Sequence, residues 1–265
     1  MNLSPPGHAG AGPQPGLQHG LQPGSQPGSQ PGKHIGHASG KQFGQSLSRE
    51  DLIEGSLRDA YLKTELADLA WSDAQLERSL VRLLRAARHP QGGADVWVFA
   101  YGSLIWNPLF PIAEKRIARI YGYHRSFCLW SRVGRGTRHN PGLVLGLDNG
   151  GACTGLALRI AATHVQQELA LLWRREMVTG AYLPTWVRAR TAAGAVEAIA
   201  FVINHRSHAY AGRLPEAAIA SNIRAASGMN GPCSEYLEKT AAGLAAHGID
   251  DARLAQLARL CGGVA

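Results

Sequence analysis

The run Val96-Trp97-Val98-Phe99-Ala100-Tyr101 carries no charged side chain and ends on Gly102-Ser103. Such a run predicts a short strand buried on both faces, a demand that few folds meet. Gly102 allows the backbone to turn tightly where the strand stops. Ser103 adds a hydroxyl and an amide N–H at that turn. A buried strand that runs out into such a turn can hold a small polar ligand by main-chain groups. Tyr101, Gly102, Ser103 and Leu104 are therefore candidate ligand contacts.

A second candidate lies farther along. Thr163 and Gln166 have the spacing of a capping box and predict the start of a helix. Val165, Leu169, Leu172 and Trp173 then recur on one helix face, and Glu176 continues the same stripe near the helix end. A carboxylate on an apolar face is costly without a partner. It is either half of a structural ion pair with a nearby arginine or a group whose chemistry needs burial.

Segments in one order then point to a family. Tyr101-Gly102-Ser103-Leu104 follows the apolar strand, and Arg135-Gly136 stands ahead of Pro141-Gly142. Arg175-Glu176-Met177-Val178-Thr179-Gly180-Ala181-Tyr182 and Gly231-Pro232-Cys233-Ser234-Glu235-Tyr236-Leu237 come next. Over roughly residues 95 to 247 this series resembles the ChaC-type γ-glutamylcyclotransferases. The resemblance implies an α+β fold, a small mixed-sheet β-barrel with flanking helices. It implies cleavage of glutathione into 5-oxoproline and cysteinylglycine, with one glutamate and no metal or other cofactor. By the motif that glutamate is Glu176, with Arg135 and Tyr182 as further substrate contacts.

The chemistry so implied is intramolecular. The α-amine of the glutamyl group attacks its own γ-carbonyl and closes a five-membered ring, and positioning removes most of the entropic barrier. The amine must first lose a proton. An ordinary glutamate has a pKa of about 4.3 and an α-amine about 7.7, a gap worth ~5 kcal/mol. Burial and the carbonyl end of a helix both raise a carboxyl pKa and narrow that gap. Main-chain N–H groups around Gly102-Ser103-Leu104 would hold either the glutamyl carboxylate or the carbonyl oxygen as it turns negative. Two other readings remain open. Ser103 as a nucleophile lacks the G-x-S-x-G context, because Tyr101 and Ile105 flank it. A barrel that only binds γ-glutamyl compounds, or one that cyclises them broadly, would share the same motifs.

Composition narrows the partners. The chain has 265 residues and an apolar share of 45%, as in a globular protein. Its net charge of +8 suits nucleic acid, a membrane surface or an anionic small substrate and, with the arginines scattered over predicted helix surfaces, decides little. Arg132, Arg135 and Arg138 form a short basic loop without interleaved aromatics, a poor nucleic-acid surface. Cys128, Cys153, Cys233 and Cys261 are far apart and predict free thiols in a reducing cytoplasm, with no metal set and no disulfide framework. Neither a membrane-length apolar run nor a secretory signal pattern is present. Oligomeric state is not legible.

The chain reads as three parts. Residues 1 to 47 carry glycine at every fourth position from Gly16 to Gly44, with almost no apolar side chains, and predict a disordered tail. His19, His34 and His37 lie in it without preorganised geometry for a metal. Residues 48 to 92 predict two helices, one from Ser48 with Asp51 carrying Ile53, Leu57, Ala60 and Tyr61, and one from Ser72 with Gln75. Leu76, Leu80, Leu83 and Leu84 form a stripe on the second, to dock on the barrel or on a partner protein. Residues 93 to 265 form the catalytic part. Leu143–Leu147 and Cys153–Ile160 predict a hairpin across Asn149-Gly150, and Trp186–Arg190 with Val196–Ile203 a second one. His205 and His208 read as loop residues. Closing helices are expected near Pro215, Ser234 and Asp250.

Overall fold

The computed structural model describes residues 46–86 and 94–262. The expectation for the tail therefore falls outside the described residues, apart from Ser46 and Leu47. The elements run α1 (Arg49–Glu54), α2 (Ser56–Leu62), α3 (Asp73–Arg85), β1 (Val96–Ala100), β2 (Glu114–Ser131) and β3 (Gly142–Ile160). Then follow α4 (Val165–Glu176), β4 (Tyr182–Thr191), β5 (Gly194–Ile203), α5 (Glu216–Ala225), α6 (Cys233–Ala245) and α7 (Ala252–Leu260).

The strands close a barrel in the order β1-β3-β2-β4-β5. The pairings are antiparallel except two made by β5, which closes the barrel in parallel on β1 at Trp97–Ala198 and Val98–Ile199 and also meets β3 in parallel at Leu147–Val202. This is the mixed-sheet α+β barrel that the resemblance implies. Val98, Phe99 and Ala100 have no exposed surface, as a strand in such a wall requires. The hairpin of β4 and β5 turns through Ala192-Ala193, as read from the sequence.

The other expected hairpin does not form. Gly142–Ile160 is one strand, and β2 pairs with it along its whole length. Asn149-Gly150-Gly151 makes an irregularity in that ladder, where Tyr121 faces Ala152 and Tyr123 faces Asn149. Gly122, Gly150 and Gly151 all adopt positive φ there. Glycines with positive φ serve a bulge as well as a tight turn, so the local pattern does not distinguish the two.

The first expected helix is two. Ser48 forms its capping box with Asp51, but Gly55 takes φ +79° and ends α1 with a left-handed cap. α3 starts on the expected Ser72–Gln75 box. Its stripe docks on the barrel: Leu76 and Leu83 are buried, and Leu80 and Leu84 pack against the same core. Trp186 Nε1 of β4 donates to the Leu83 carbonyl at 2.9 Å, and Trp173 Nε1 of α4 to Ser79 Oγ at 3.3 Å. At the other end α7 is capped by Asp251, not Asp250: its Oδ1 accepts from the Leu254 N–H at 3.0 Å, while Ile249 is buried just before it. Among the described residues no helix is long and apolar enough to cross a membrane. The four thiols are free.

Candidate active site

α4 presents the central carboxylate. Leu169, Leu172 and Trp173 are buried, as their spacing requires, and the Trp173 ring meets Phe201 edge-on at 5.4 Å. The expected capping box is absent. A 3-10 turn at Ala162–His164 precedes the helix, His164 takes the cap position, and the Thr163 hydroxyl lies 3.1 Å from His164 Nδ1. The stripe still delivers Glu176 to the end of α4, with its side chain 13% exposed.

Arg175 organises the surroundings of Glu176. Its Nε lies 2.9 Å from Glu176 Oε1, its Nη2 donates to Ser103 Oγ at 2.9 Å, and its Nη1 donates to the Asn107 carbonyl. Burial pushes the Glu176 carboxyl above its ordinary range, and the Arg175 guanidinium opposes that rise without cancelling it. The two readings of a carboxylate on an apolar face are thus both represented: an arginine pairs with it, and it still holds its proton more tightly than an exposed glutamate. The ion pair that the sequence reading missed belongs to Glu168. It is buried and accepts two hydrogen bonds from Arg49, at 2.6 and 2.7 Å.

Three tyrosines surround this centre. Tyr101 donates to the Phe201 carbonyl at 2.7 Å and Tyr182 to the Leu145 carbonyl at 3.1 Å. The Tyr236 hydroxyl accepts from the Leu145 N–H at 3.3 Å. Burial raises all three phenols, and the Glu176 charge pushes the same way, so they stay protonated at neutral pH. Tyr236 also explains Gly102. A Cβ on Gly102 would sit 2.8 Å from the Tyr236 hydroxyl, so a side chain there would displace the phenol.

A cavity of about 410 Å³ opens beside these groups. Ser103, Arg135, Glu176 and Tyr182 line it together, and so do Arg175 and Tyr236. Tyr101, Gly102 and Leu104 are not on its wall; Tyr101 and Leu104 are buried in the core. Ser103 opens a 3-10 turn, Ser103–Ile105, whose first N–H groups have no partner within the turn. Arg135 is buried, donates to the Pro232 carbonyl at 3.0 Å and pairs with Glu235 at 2.6 Å. Its loop is pinned by backbone contact: a Cβ on Gly136 would fall 2.0 Å from the Gly142 nitrogen. His205 pairs with Asp148 at 2.7 Å, and His208 lines the cavity. Among the described residues no group of three histidine, cysteine, aspartate or glutamate side chains is placed to hold a metal.

The family model described as ChaC-like protein matches residues 96–262. This chain belongs to the ChaC-like family. It is 41% identical over 192 residues to the glutathione-specific γ-glutamylcyclotransferase of Escherichia coli strain K12, a match that covers 72% of this chain and 81% of that one. It is 32% identical over 185 residues to the human glutathione-specific γ-glutamylcyclotransferase 1, covering 67% and 77%. The crystal structure of a yeast γ-glutamyl cyclotransferase specific to glutathione superposes with a TM-score of 0.59 at 22% identity, over 64% of this chain and 96% of that one, and shares its fold.

The ChaC-like family model starts at Val96, although the match to the Escherichia coli relative, over 72% of this chain, reaches residues ahead of it. Yet Leu57, Tyr61, Leu66, Leu69 and Trp71 also line the cavity. Sequence reasoning missed them, and missed Arg175 and Tyr236 inside quoted motifs. The available signal was weak: Tyr61 and Trp71 are large aromatics in a segment otherwise read as docking helices.

Proposed function

We propose that this protein cyclises the γ-glutamyl group of glutathione, releasing 5-oxoproline and cysteinylglycine, with Glu176 as general base and then general acid. The observation that carries the reading is the raised Glu176 carboxyl on the wall of a cavity shared with Ser103, Tyr182 and Tyr236. The names of the relatives supply the substrate. A cavity of 410 Å³ lies within the ~300–1,000 Å³ of small-molecule sites.

In this mechanism Glu176 takes a proton from the substrate α-ammonium. The freed amine attacks the γ-carbonyl carbon, a new C–N bond closes the lactam, and the bond to the cysteinyl nitrogen breaks. Glu176 returns its proton to that leaving nitrogen and takes up the second proton of the ring nitrogen, which also passes to the departing amine, so the products are a neutral lactam and an ammonium. The Ser103 N–H and hydroxyl, with Arg175 behind the hydroxyl, suit an anionic oxygen of the glutamyl group. The phenols of Tyr182 and Tyr236 are neutral and add no charge to compete with Glu176. The free thiols fit work in a reducing cytoplasm.

The test is incubation of purified protein with glutathione. Equimolar 5-oxoproline and cysteinylglycine are expected. Glutamate and cysteinylglycine would show hydrolysis instead, and no product would leave a binding protein.

A further inference from the structure

The cavity has two kinds of wall. One is the polar centre of Ser103, Arg175 and Glu176, which on the proposed reading receives the glutamyl head. The other is apolar; beside barrel residues such as Leu129, Trp130 and Val144 it includes residues ahead of the ChaC-like segment, Leu57 and Tyr61 of α2, then Leu66, Leu69 and Trp71. The part ahead of that segment is fastened to the barrel at several points. The Trp71 N–H donates to the Val178 carbonyl at 2.8 Å, and Glu65 pairs with Arg138. Asn107 Nδ2 donates to the Leu47 carbonyl at 2.9 Å. The Trp71 ring lies so close to Gly180 that a Cβ there would fall 2.5 Å from it. An apolar surface fixed this way beside a charged centre is built to meet the rest of a bound molecule.

The arginines on the cavity wall differ in one respect. Arg175 pairs with Glu176, and Arg135 with Glu235. Arg132 has no carboxylate partner among the described residues, and its guanidinium donates to the His208 carbonyl at 3.3 Å. It lies close enough to Tyr61 for its charge to act on that phenol, whose pKa burial nevertheless pushes up to about 12.

We propose that the segment from Leu57 to Trp71, with Arg132, forms the subsite for the leaving half of the substrate: Tyr61 packs against the cysteinyl residue and Arg132 takes the terminal carboxylate of the glycine. This rests on the proposed cyclotransferase reading and assigns specificity to Arg132 together with residues ahead of those the family model matches. Glutathione differs from a short γ-glutamyl dipeptide in this second half, so the residues that face it set the preference. A guanidinium without a carboxylate partner among the described residues matches the one charge that the leaving half retains at its far end.

The experiment compares glutathione with its glycyl ethyl ester, which lacks that charge, in wild-type protein, Arg132→Gln and Tyr61→Ala. Wild-type kcat/KM is expected to favour glutathione over the ester by about tenfold, the value of one charge-assisted hydrogen bond. Arg132→Gln should erase that preference, losing on glutathione alone. Tyr61→Ala should raise KM for both substrates by about tenfold, the value of a lost apolar contact, with a smaller change in kcat. An Arg132→Gln enzyme that keeps the wild-type preference overturns the subsite. So does a Tyr61→Ala enzyme that loses kcat at constant KM. If Tyr61→Ala fails to fold, Arg132→Gln decides alone, since Arg132 lies in a loop and is half-buried. Wild-type protein that releases no 5-oxoproline from glutathione fails at the earlier step and overturns the cyclotransferase reading itself.

Discussion

Glu176 lies between opposed influences, and their balance can be read from stability. Its folded pKa stands above the 4.5 of an exposed glutamate, chiefly through burial, with Arg175 acting in the other direction. The native state therefore holds the proton more tightly than the unfolded chain. Wild-type stability falls as pH rises from about 4.5 to the folded pKa, and the full penalty remains above it. Glu176→Gln has no such penalty, and its Arg175 keeps Ser103 and the Asn107 carbonyl as partners. The difference in melting midpoint, variant minus wild type, should thus grow from pH 4.5 upward and be positive at pH 7. A sharp loss at pH 7 would instead show that the Arg175 pair holds the fold. Ser103 tests the rival chemistry. As a hydroxyl that receives Arg175, its replacement by alanine should lower kcat by about tenfold or less, the worth of one hydrogen bond. Loss of a true nucleophile costs on the order of 10⁴–10⁶.

Among the elements, α4 ties both parts of the molecule together. Its Glu168 is buried and depends on Arg49 of α1, so Arg49→Ala leaves a carboxylate without its cation. Because Arg49 is itself 28% exposed, a loss of about 2–3 kcal/mol is expected, just below that of a fully enclosed pair, measured by urea unfolding. A change under ~0.5 kcal/mol, within the reach of a surface pair, would mean that water replaces Arg49. Neither partner was legible, because Arg49 and Glu168 are far apart in sequence and each looks like a surface charge. What was legible had short range. The boxes at Ser48 and Ser72, the leucine stripe of α3 and the Glu176 face of α4 all rest on neighbours three or four residues apart. The Thr163 box had the same spacing and failed, since a 3-10 turn moved the cap to His164. Asn149-Gly150 marked a positive-φ site correctly, but whether it ends a strand or bends one depends on β2, which lies across the sheet.

At the scale of the molecule, the barrel and its site are a matter of closure. The parallel seam of β5 on β1 brings distant segments to one cavity, and no local pattern reports that seam. The family resemblance implied a mixed-sheet barrel without placing that seam, and it pointed to Glu176, Ser103, Arg135 and Tyr182, which share the cavity wall. It did not supply the wall from residues 57 to 71, which lies ahead of the residues the family model matches. The low apolar content of the first residues still predicts that they add nothing to catalysis. Ser46 meets Lys239 and the Leu47 carbonyl meets Asn107, so the deletion to make ends at residue 45. It should leave turnover and melting midpoint unchanged; a large loss of either would mean that the tail docks. The central claim is that one carboxylate moves the proton that starts and finishes the cyclisation, and kcat of Glu176→Gln for 5-oxoproline release from glutathione measures it most directly. The amide keeps the size and a hydrogen bond to the substrate amine but cannot take its proton, so kcat should fall by about 10²–10⁴ or more while Kd for glutathione changes far less. Retention of more than about a tenth of wild-type kcat would contradict the assignment, because loss of a general base costs at least about a hundredfold.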